Sequence, residues 1–500
     1  MPTWLSKNEM RKVVPAEQGM AALPLPTRVV SNGEFNPLPQ TERQRRVEAR
    51  IIELADAYAG KLGLSRREFL KTASGMAAAF LAMNQVYGSL FDVREAEAAD
   101  LDAAAERAAA LSSQFVLDDQ VHFVRDDYEH SVPLDLGRYA AEHWNPSMLD
   151  DLNIEHYRFK FENFLKEIFL DSDTKVALLS GAPFDDAEAW FLSNDQMARV
   201  RELINRIAGG RRLLCHAVFT PGTDGWMDEV ERAIAELRPD SWKGYTVGDP
   251  LFASKYPWRL DDEELVYPFY ERIQKAGIRT ICIHKGLLPN DYEESFRGIW
   301  QNATVDDVGK AAKDWPQLNF VIYHSALRPF LELPDAEARE FEETGYIQWV
   351  SDLAAIPERY GVTNVYGELG TCLANTAVTH PRLCAGLIGT LIQGLGVERV
   401  LWGTDSVWYG SPQWQIEALR RLEVPEDLQE RRGFAPLGAA DGPVKRAILG
   451  GNAARLYGLD VEAVSSALAE DALESIKSEY RASGIGRSNL AYGFVHRPGV

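Results

Sequence analysis

From residue 115 onward one alternation governs the chain. Short apolar, β-branched runs recur: "FVLDDQVHFV" at 115, "VALLSGAP" at 176, "RLLCHAVFTPG" at 212 and "SWKGYTVG" at 241, then "RTICIHKG" at 279, "NFVIYHSAL" at 319, "NVYGELG" at 364 and "RVLWGTDSVWYG" at 399. Between them lie amphipathic stretches such as "NDQMARVRELINRIAGG", "DEELVYPFYERIQKAG" and "HPRLCAGLIGTLIQGLG". Several end in Gly just before the next apolar run, as helix C-termini do. Strands that alternate with helices form βαβ units around a parallel sheet. Eight such units predict a closed (β/α)8 barrel rather than an open doubly wound sheet, because "LSGAPFDD" is not the Gly-rich phosphate loop an open sheet would place after an early strand.

The expected layout is an N-terminal extension over residues 1–110, the barrel over 111–458, and a C-terminal helix and tail over 459–500. The first 45 or so residues, rich in Pro, Asn, Gln and charge, read as an extended arm, and a helix is predicted from Thr41. Residues 65–88 resemble a twin-arginine export signal, with Arg66 and Arg67, then Phe69, Leu70 and Lys71, then an Ala-rich run and a small-residue cleavage position after Ala98. That reading places the protein in the periplasm. The alternative keeps it in the cytoplasm with the segment retained, because Ser65 and Glu68 also make a capping box that opens an ordinary helix. The apolar run is too short and too polar to span a membrane.

The net charge of −21 argues against a nucleic-acid or anionic-lipid surface. The four cysteines form no CxxC pair, so a zinc ribbon or a redox motif is not expected. A small-molecule substrate is the expected partner, with a homo-oligomer as a further expectation.

Polar residues collect at the C-terminal ends of the strand-like runs: Gln120 and His122 on the first, Lys243 on the fourth, His284 and Lys285 on the fifth, His324 on the sixth, Glu368 on the seventh and Asp405 on the eighth. That end of a barrel is where catalytic groups gather from several strands. Chance seldom puts three histidines and an aspartate at the same end of four strands.

This order of ligand-type residues resembles the amidohydrolase superfamily, and in particular the amidohydrolase-2 branch related to aminocarboxymuconate-semialdehyde decarboxylase and γ-resorcylate decarboxylase. "ICIHKG", "FVIYHSALRP", "VLWGTDSVW" and "ILGGNAARLYG" carry the resemblance. It implies a divalent metal, zinc first and manganese or iron as alternatives, held by His122, His284 and Asp405, with Gln120 and Glu368 as further candidates. Asp405 and His324 are the implied catalytic groups. Lys243 and Arg328 are candidate anchors for a substrate carboxylate, each with a structural alternative: Lys243 paired with Asp240, or Arg328 with Glu332. The chain departs from the family at Gln120, where the family has His. The leading expectation is metal-activated water attacking an amide, ester or lactone of a small organic acid. The alternatives are non-oxidative decarboxylation of an aromatic or unsaturated acid, and a metal-free barrel acting as a binding subunit.

Overall fold

The computed structural model describes residues 12–15, 23–28, 30, 38–126, 160–249, 252–329, 334–407, 410–483 and 494–497. Eight strands form one parallel sheet: β1 (Leu117–Val121), β2 (Val176–Leu179), β3 (Leu213–Val218), β4 (Ser241–Tyr245), β5 (Thr280–His284), β6 (Asn319–Tyr323), β7 (Val365–Glu368) and β8 (Val400–Leu401). Each pairs with the next in chain order. The last edge returns to the first. Asp119 N donates to Trp402 O at 2.8 Å, Asp405 N to Gln120 O at 2.9 Å and His122 N to Ser406 O at 2.6 Å. The sheet therefore closes into a (β/α)8 barrel, as the strand count predicts.

The helices between strands end as the sequence indicates. Asn194–Ala208 starts on a Ser193–Gln196 capping box and stops at Gly209 in the left-handed conformation. Tyr267–Ala276 carries Pro in its first turn and stops at Gly277 in the same way. Asn452 of the closing helix donates to the carbonyls of Val397 and Val400 at 2.7 and 2.8 Å, tying that helix to the start of β8.

Along the strands, the side chains facing the barrel axis change character. Leu117, Val176, Leu178, Leu214, Cys282, Val321 and Leu401 share one apolar cluster inside the barrel. Further toward the C-terminal ends Ser180, His216 and His284 follow Leu178, Leu214 and Cys282 two residues on, and Tyr245 and Asp405 stand at the same ends of their strands. The apolar half packs the core, and the polar half builds the site.

The N-terminal extension is part of the same packed body. Helix Glu42–Leu62 opens on a capping box of Thr41 and Gln44, and Arg66–Leu70 opens on one of Ser65 and Glu68. In helix Ala73–Tyr87 the residues Ala77, Ala78, Ala79, Phe80, Ala82 and Met83 are buried, in the same apolar cluster as the outer faces of the barrel strands. Arg66 forms an exposed pair with Asp56. The two ends of the chain also meet: Val13–Pro15 pairs antiparallel with Phe494–His496. Much of the expected arm and residues 484–493 of the tail lie outside the described residues. Among the described residues no helix is long and apolar enough to cross a membrane.

Candidate active site

The first strand does not run straight into the site. Its pairing with β2 slips between Asp118 and Val121. Leu117 and Asp119 lie toward the axis, where Asp119 faces Lys243 and Tyr457. After the slip, Gln120 and His122 point toward Asp405. A local irregularity of this kind re-aims side chains beside active sites.

Three side chains converge at the β1–β8 seam. His122 Nε2 lies 3.0 Å from Asp405 Oδ1. Gln120 Nε2 donates to Asp405 Oδ1 at 3.1 Å and sits 3.3 Å from His122 Nε2. Thr371 Oγ1 donates to Asp405 Oδ2 at 2.5 Å. Burial pushes the Asp405 carboxyl up, but His122, His324 and Thr371 outweigh it and hold the group below the usual carboxylate range.

Glu368 ends β7 and is fully buried. Its oxygens accept from the backbone amides of His324 at 3.0 Å and Gly370 at 2.5 Å. Burial keeps this carboxyl far above its ordinary value, despite those amides. Space for it depends on Gly403, where a Cβ would stand 1.8 Å from Glu368 Oε1. In the structure Glu368 therefore braces backbone rather than pointing a free carboxylate at the seam.

His324 follows β6 at φ 59°, the first of three consecutive left-handed non-glycine residues, with Ser325 at 47° and Ala326 at 56°. Each costs about 1–3 kcal/mol, a strain typical of functional sites. It is held by Ser325 Oγ donating to Glu368 O at 2.8 Å and by His324 Nδ1, 3.0 Å from Gly370 O. With Nδ1 as donor to that carbonyl, Nε2 keeps its lone pair. Burial draws the His324 imidazole down to about 4 despite the Asp405 charge, so it is neutral at pH 7.

His284 closes β5 with its ring stacked on Tyr245, 4.4 Å between centroids, and edge-on to His324 at 4.7 Å. Among the described residues neither of its buried ring nitrogens has a hydrogen-bond partner. It leans on His324 and Tyr245 rather than joining the seam trio. Among the described residues no group of three or more His, Cys, Asp and Glu is arranged to hold a metal. The donors brought together are one imidazole, one carboxylate and one carboxamide. His122 and Asp405 are two donors a divalent cation could use; Gln120 would add a third only through Oε1, which has no partner among the described residues while Nε2 faces the pair.

Lys243 lies at the barrel centre, fully buried, with Nζ 3.5 Å from the Tyr323 ring centroid and 5.3 Å from that of Tyr245. Nζ makes no hydrogen bond among the described residues. Burial lowers its pKa to about 8, against the attraction of Cys282, Glu368, Asp405 and Asp119. The pairing with Asp240 that the sequence allows does not occur, since Asp240 binds Arg201 and Arg211. Tyr323 is itself fixed: its hydroxyl donates to Asp119 O at 2.7 Å and lies 3.2 Å from His216 Nε2, and His216 Nδ1 lies 3.0 Å from Ser180 Oγ.

Arg328 is buried and bonded to Glu337, while Glu332 lies outside the described residues. Lys285 is locked in a fully buried pair with Asp307 at 2.8 Å. Neither cation is poised for a substrate as Lys243 is. Sequence reasoning missed Thr371, Tyr323, Tyr245 and the two buried carboxyls Asp118 and Asp119. Asp118 takes Thr404 N and Oγ1 at 2.9 and 2.5 Å, and burial lifts it to about 7 and Asp119 to about 8. The doublet "DD" inside an apolar run was the available signal.

A family model described as Amidohydrolase matches residues 171–459, more than half of the chain. The chain belongs to the amidohydrolase family. The match opens after β1, so the strand that carries Gln120 lies outside it. As a member of that family the chain is an enzyme. No curated protein matches the chain. Solved structures similar to the amidohydrolase include a TIM-barrel protein from Bordetella bronchiseptica (13% identity, 70% of this chain and 99% of that one, TM-score 0.42). A second is 5-carboxyvanillate decarboxylase from Sphingomonas paucimobilis (16%, 69% and 100%, 0.38). A third is 2,6-dihydroxybenzoate decarboxylase from Rhizobium (13%, 69% and 99%, 0.40).

Proposed function

We propose that this amidohydrolase catalyses the non-oxidative decarboxylation of an aromatic or conjugated carboxylic acid, with a divalent metal at the Gln120, His122 and Asp405 seam. One observation carries the reading: a buried ammonium, Lys243, has no hydrogen-bond partner among the described residues and sits between the faces of Tyr245 and Tyr323. Replacing a carboxylate by hydrogen requires a proton for the vacated carbon. Asp405 is held ionised and His324 neutral, so Lys243 is the cationic proton donor of the site.

A bound divalent cation supplies Lewis-acid polarisation of a substrate oxygen. The chain's own residues do the rest. Tyr245 and Tyr323 flank the Lys243 ammonium, and the His284 ring backs Tyr245. His324 Nε2 accepts a hydrogen bond from a substrate hydroxyl. The bond from ring carbon to carboxyl carbon breaks, CO2 leaves, the electron pair stays on the ring carbon, and the Lys243 proton joins it. Solvent then restores the proton to Lys243.

Hydrolysis is the second reading, and the charged Asp405 carboxylate favours it as a base for water. Against it, both Asp405 oxygens already accept hydrogen bonds, from Gln120 and from Thr371. The test is a panel of hydroxybenzoates and conjugated acids in D2O. Decarboxylation releases CO2 and leaves deuterium on the vacated carbon. Uptake of labelled water oxygen into an amide, ester or lactone product without CO2 would replace this reading by the hydrolytic one. The packed N-terminal helices favour a protein that keeps residues 65–88, and we place that retained form in our proposal in preference to cleavage after Ala98.

A further inference from the structure

A buried ammonium that has lost its water needs something in return, or it sheds its proton. Around Lys243 stand Asp119 from β1, His216 from β3, Cys282 and His284 from β5, His324 after β6, Glu368 from β7 and Asp405 after β8, each close enough to set or feel its charge. Among the described residues none of them hydrogen-bonds Nζ. What Nζ meets is a ring face: the Tyr323 centroid lies 3.5 Å away, well inside the range of a cation–π contact. Tyr245 is the weaker neighbour, at 5.3 Å, half-buried and stacked on His284.

We infer that the face of Tyr323 keeps the Lys243 ammonium charged and in place, and that a buried hydrogen-bond chain through His216 and Ser180 keeps that face turned toward it. Tyr323 is thus a positioning residue for the proton donor, and its part in the reaction rests on the decarboxylation reading above.

The chain has a fixed polarity. Tyr323 Oη donates its one proton to Asp119 O at 2.7 Å. Toward His216 Nε2, 3.2 Å away, the same oxygen can only accept, so His216 carries its proton on Nε2. Nδ1 is then bare and takes the Ser180 hydroxyl at 3.0 Å. Burial keeps His216 neutral, which preserves this tautomer. A phenol makes such bonds near its ring plane, so two of them to fixed partners hold the plane. A turned ring would offer the ammonium its positive edge in place of its negative face. A ring face also suits a proton that must leave. A carboxylate bonded to Nζ would hold the proton more firmly, because an opposite charge in contact favours the charged form.

The test uses the full chain with Tyr323→Phe, then with mono-, di- and trifluorophenylalanine at the same position, which drain the ring face at nearly constant shape. The 13Cε resonance of Lys243, assigned by its loss in K243M, is followed through a pH titration without substrate. Each added fluorine is expected to lower the midpoint, by about one pH unit from Y323F to the trifluoro ring, the size of a desolvated cation–π contact. The alkaline limb of the rate profile should move with it. In the wild type, the 15N shifts of His216 should show the Nε2–H tautomer. A midpoint indifferent to fluorine overturns the role of the face, and an Nδ1–H tautomer overturns the chain. A midpoint that moves while the rate limb stays fixed, or while no CO2 is released, supports the face and removes Lys243 from the chemistry, so the two readings fail separately.

Discussion

His122 and Asp405 meet at 3.0 Å across the seam that closes the barrel, although 283 positions separate them in the chain. β1 brings one and the end of β8 the other, and the backbone bonds that close the sheet set their distance. Asp405→Asn keeps the shape but replaces a charged acceptor with a neutral amide. We expect about a 10²–10⁴-fold loss of turnover, the size of a lost proton-handling group. Circular dichroism and the melting temperature should stay near wild type. Turnover within a few-fold of wild type would remove Asp405 from the chemistry.

Lys243→Met tests the buried cation in two ways. Turnover should fall about 10²–10⁴-fold, the size of a lost proton-handling group. Stability should rise, because Met fills the same space without a charge to desolvate. The gain at pH 7 is at most about 3 kcal/mol, from the fall in Lys243 pKa from 10.5 to about 8. A less stable, inactive K243M would make Lys243 a structural residue only.

The same shift predicts a pH dependence. Between pH 8 and 10.5 the unfolded chain holds the Lys243 proton and the folded chain has lost it. The unfolded state binds more protons there, so wild-type stability rises with pH through that window relative to K243M. The gap between the two proteins is full below about pH 8 and closes toward 10.5. Urea titrations at pH 7, 9 and 10.5 measure it. Activity should fall above about pH 8 as the proton is lost.

Gly403→Ala should destabilise the fold by about 1–3 kcal/mol or more, because the added Cβ collides with the Glu368 carboxylate. Glu368→Ala strips the amides of His324 and Gly370 of their acceptor and costs about 1–3 kcal/mol for each. The double variant should cost less than the sum, with a coupling of about 0.5–3 kcal/mol. Additive costs would mean that Gly403 is there for another reason.

Removing residues 1–98 should leave an aggregating or unfolded chain, since it strips helix Ala73–Tyr87 from the apolar faces it covers. The change R66K/R67K should alter stability by no more than about 0.5 kcal/mol, as both side chains are exposed. Fractionation and N-terminal sequencing of the native protein then separate retention from export. A soluble, folded chain beginning at Ala99 in the periplasm would support the cleaved reading.

Barrel class, strand positions and the end of each strand that bears the site were legible in the sequence, because all three are written in local periodicity. A strand buried on both faces needs an apolar run, and a helix needs an amphipathic one and a stop. The ligand-type residues were legible too, since three histidines and an aspartate stood at equivalent strand ends. What each one touches was not. The slip between Asp118 and Val121 that aims Gln120 at Asp405 depends on pairing with β2. Arg328 was free to serve a substrate until the fold gave it Glu337. Lys243 was free to pair with Asp240 until Arg201 and Arg211 took that carboxylate. Local pattern selects the elements, because it acts over a few residues. Partners and charge states depend on groups hundreds of residues away and on the exclusion of water, and only the closed barrel decides those.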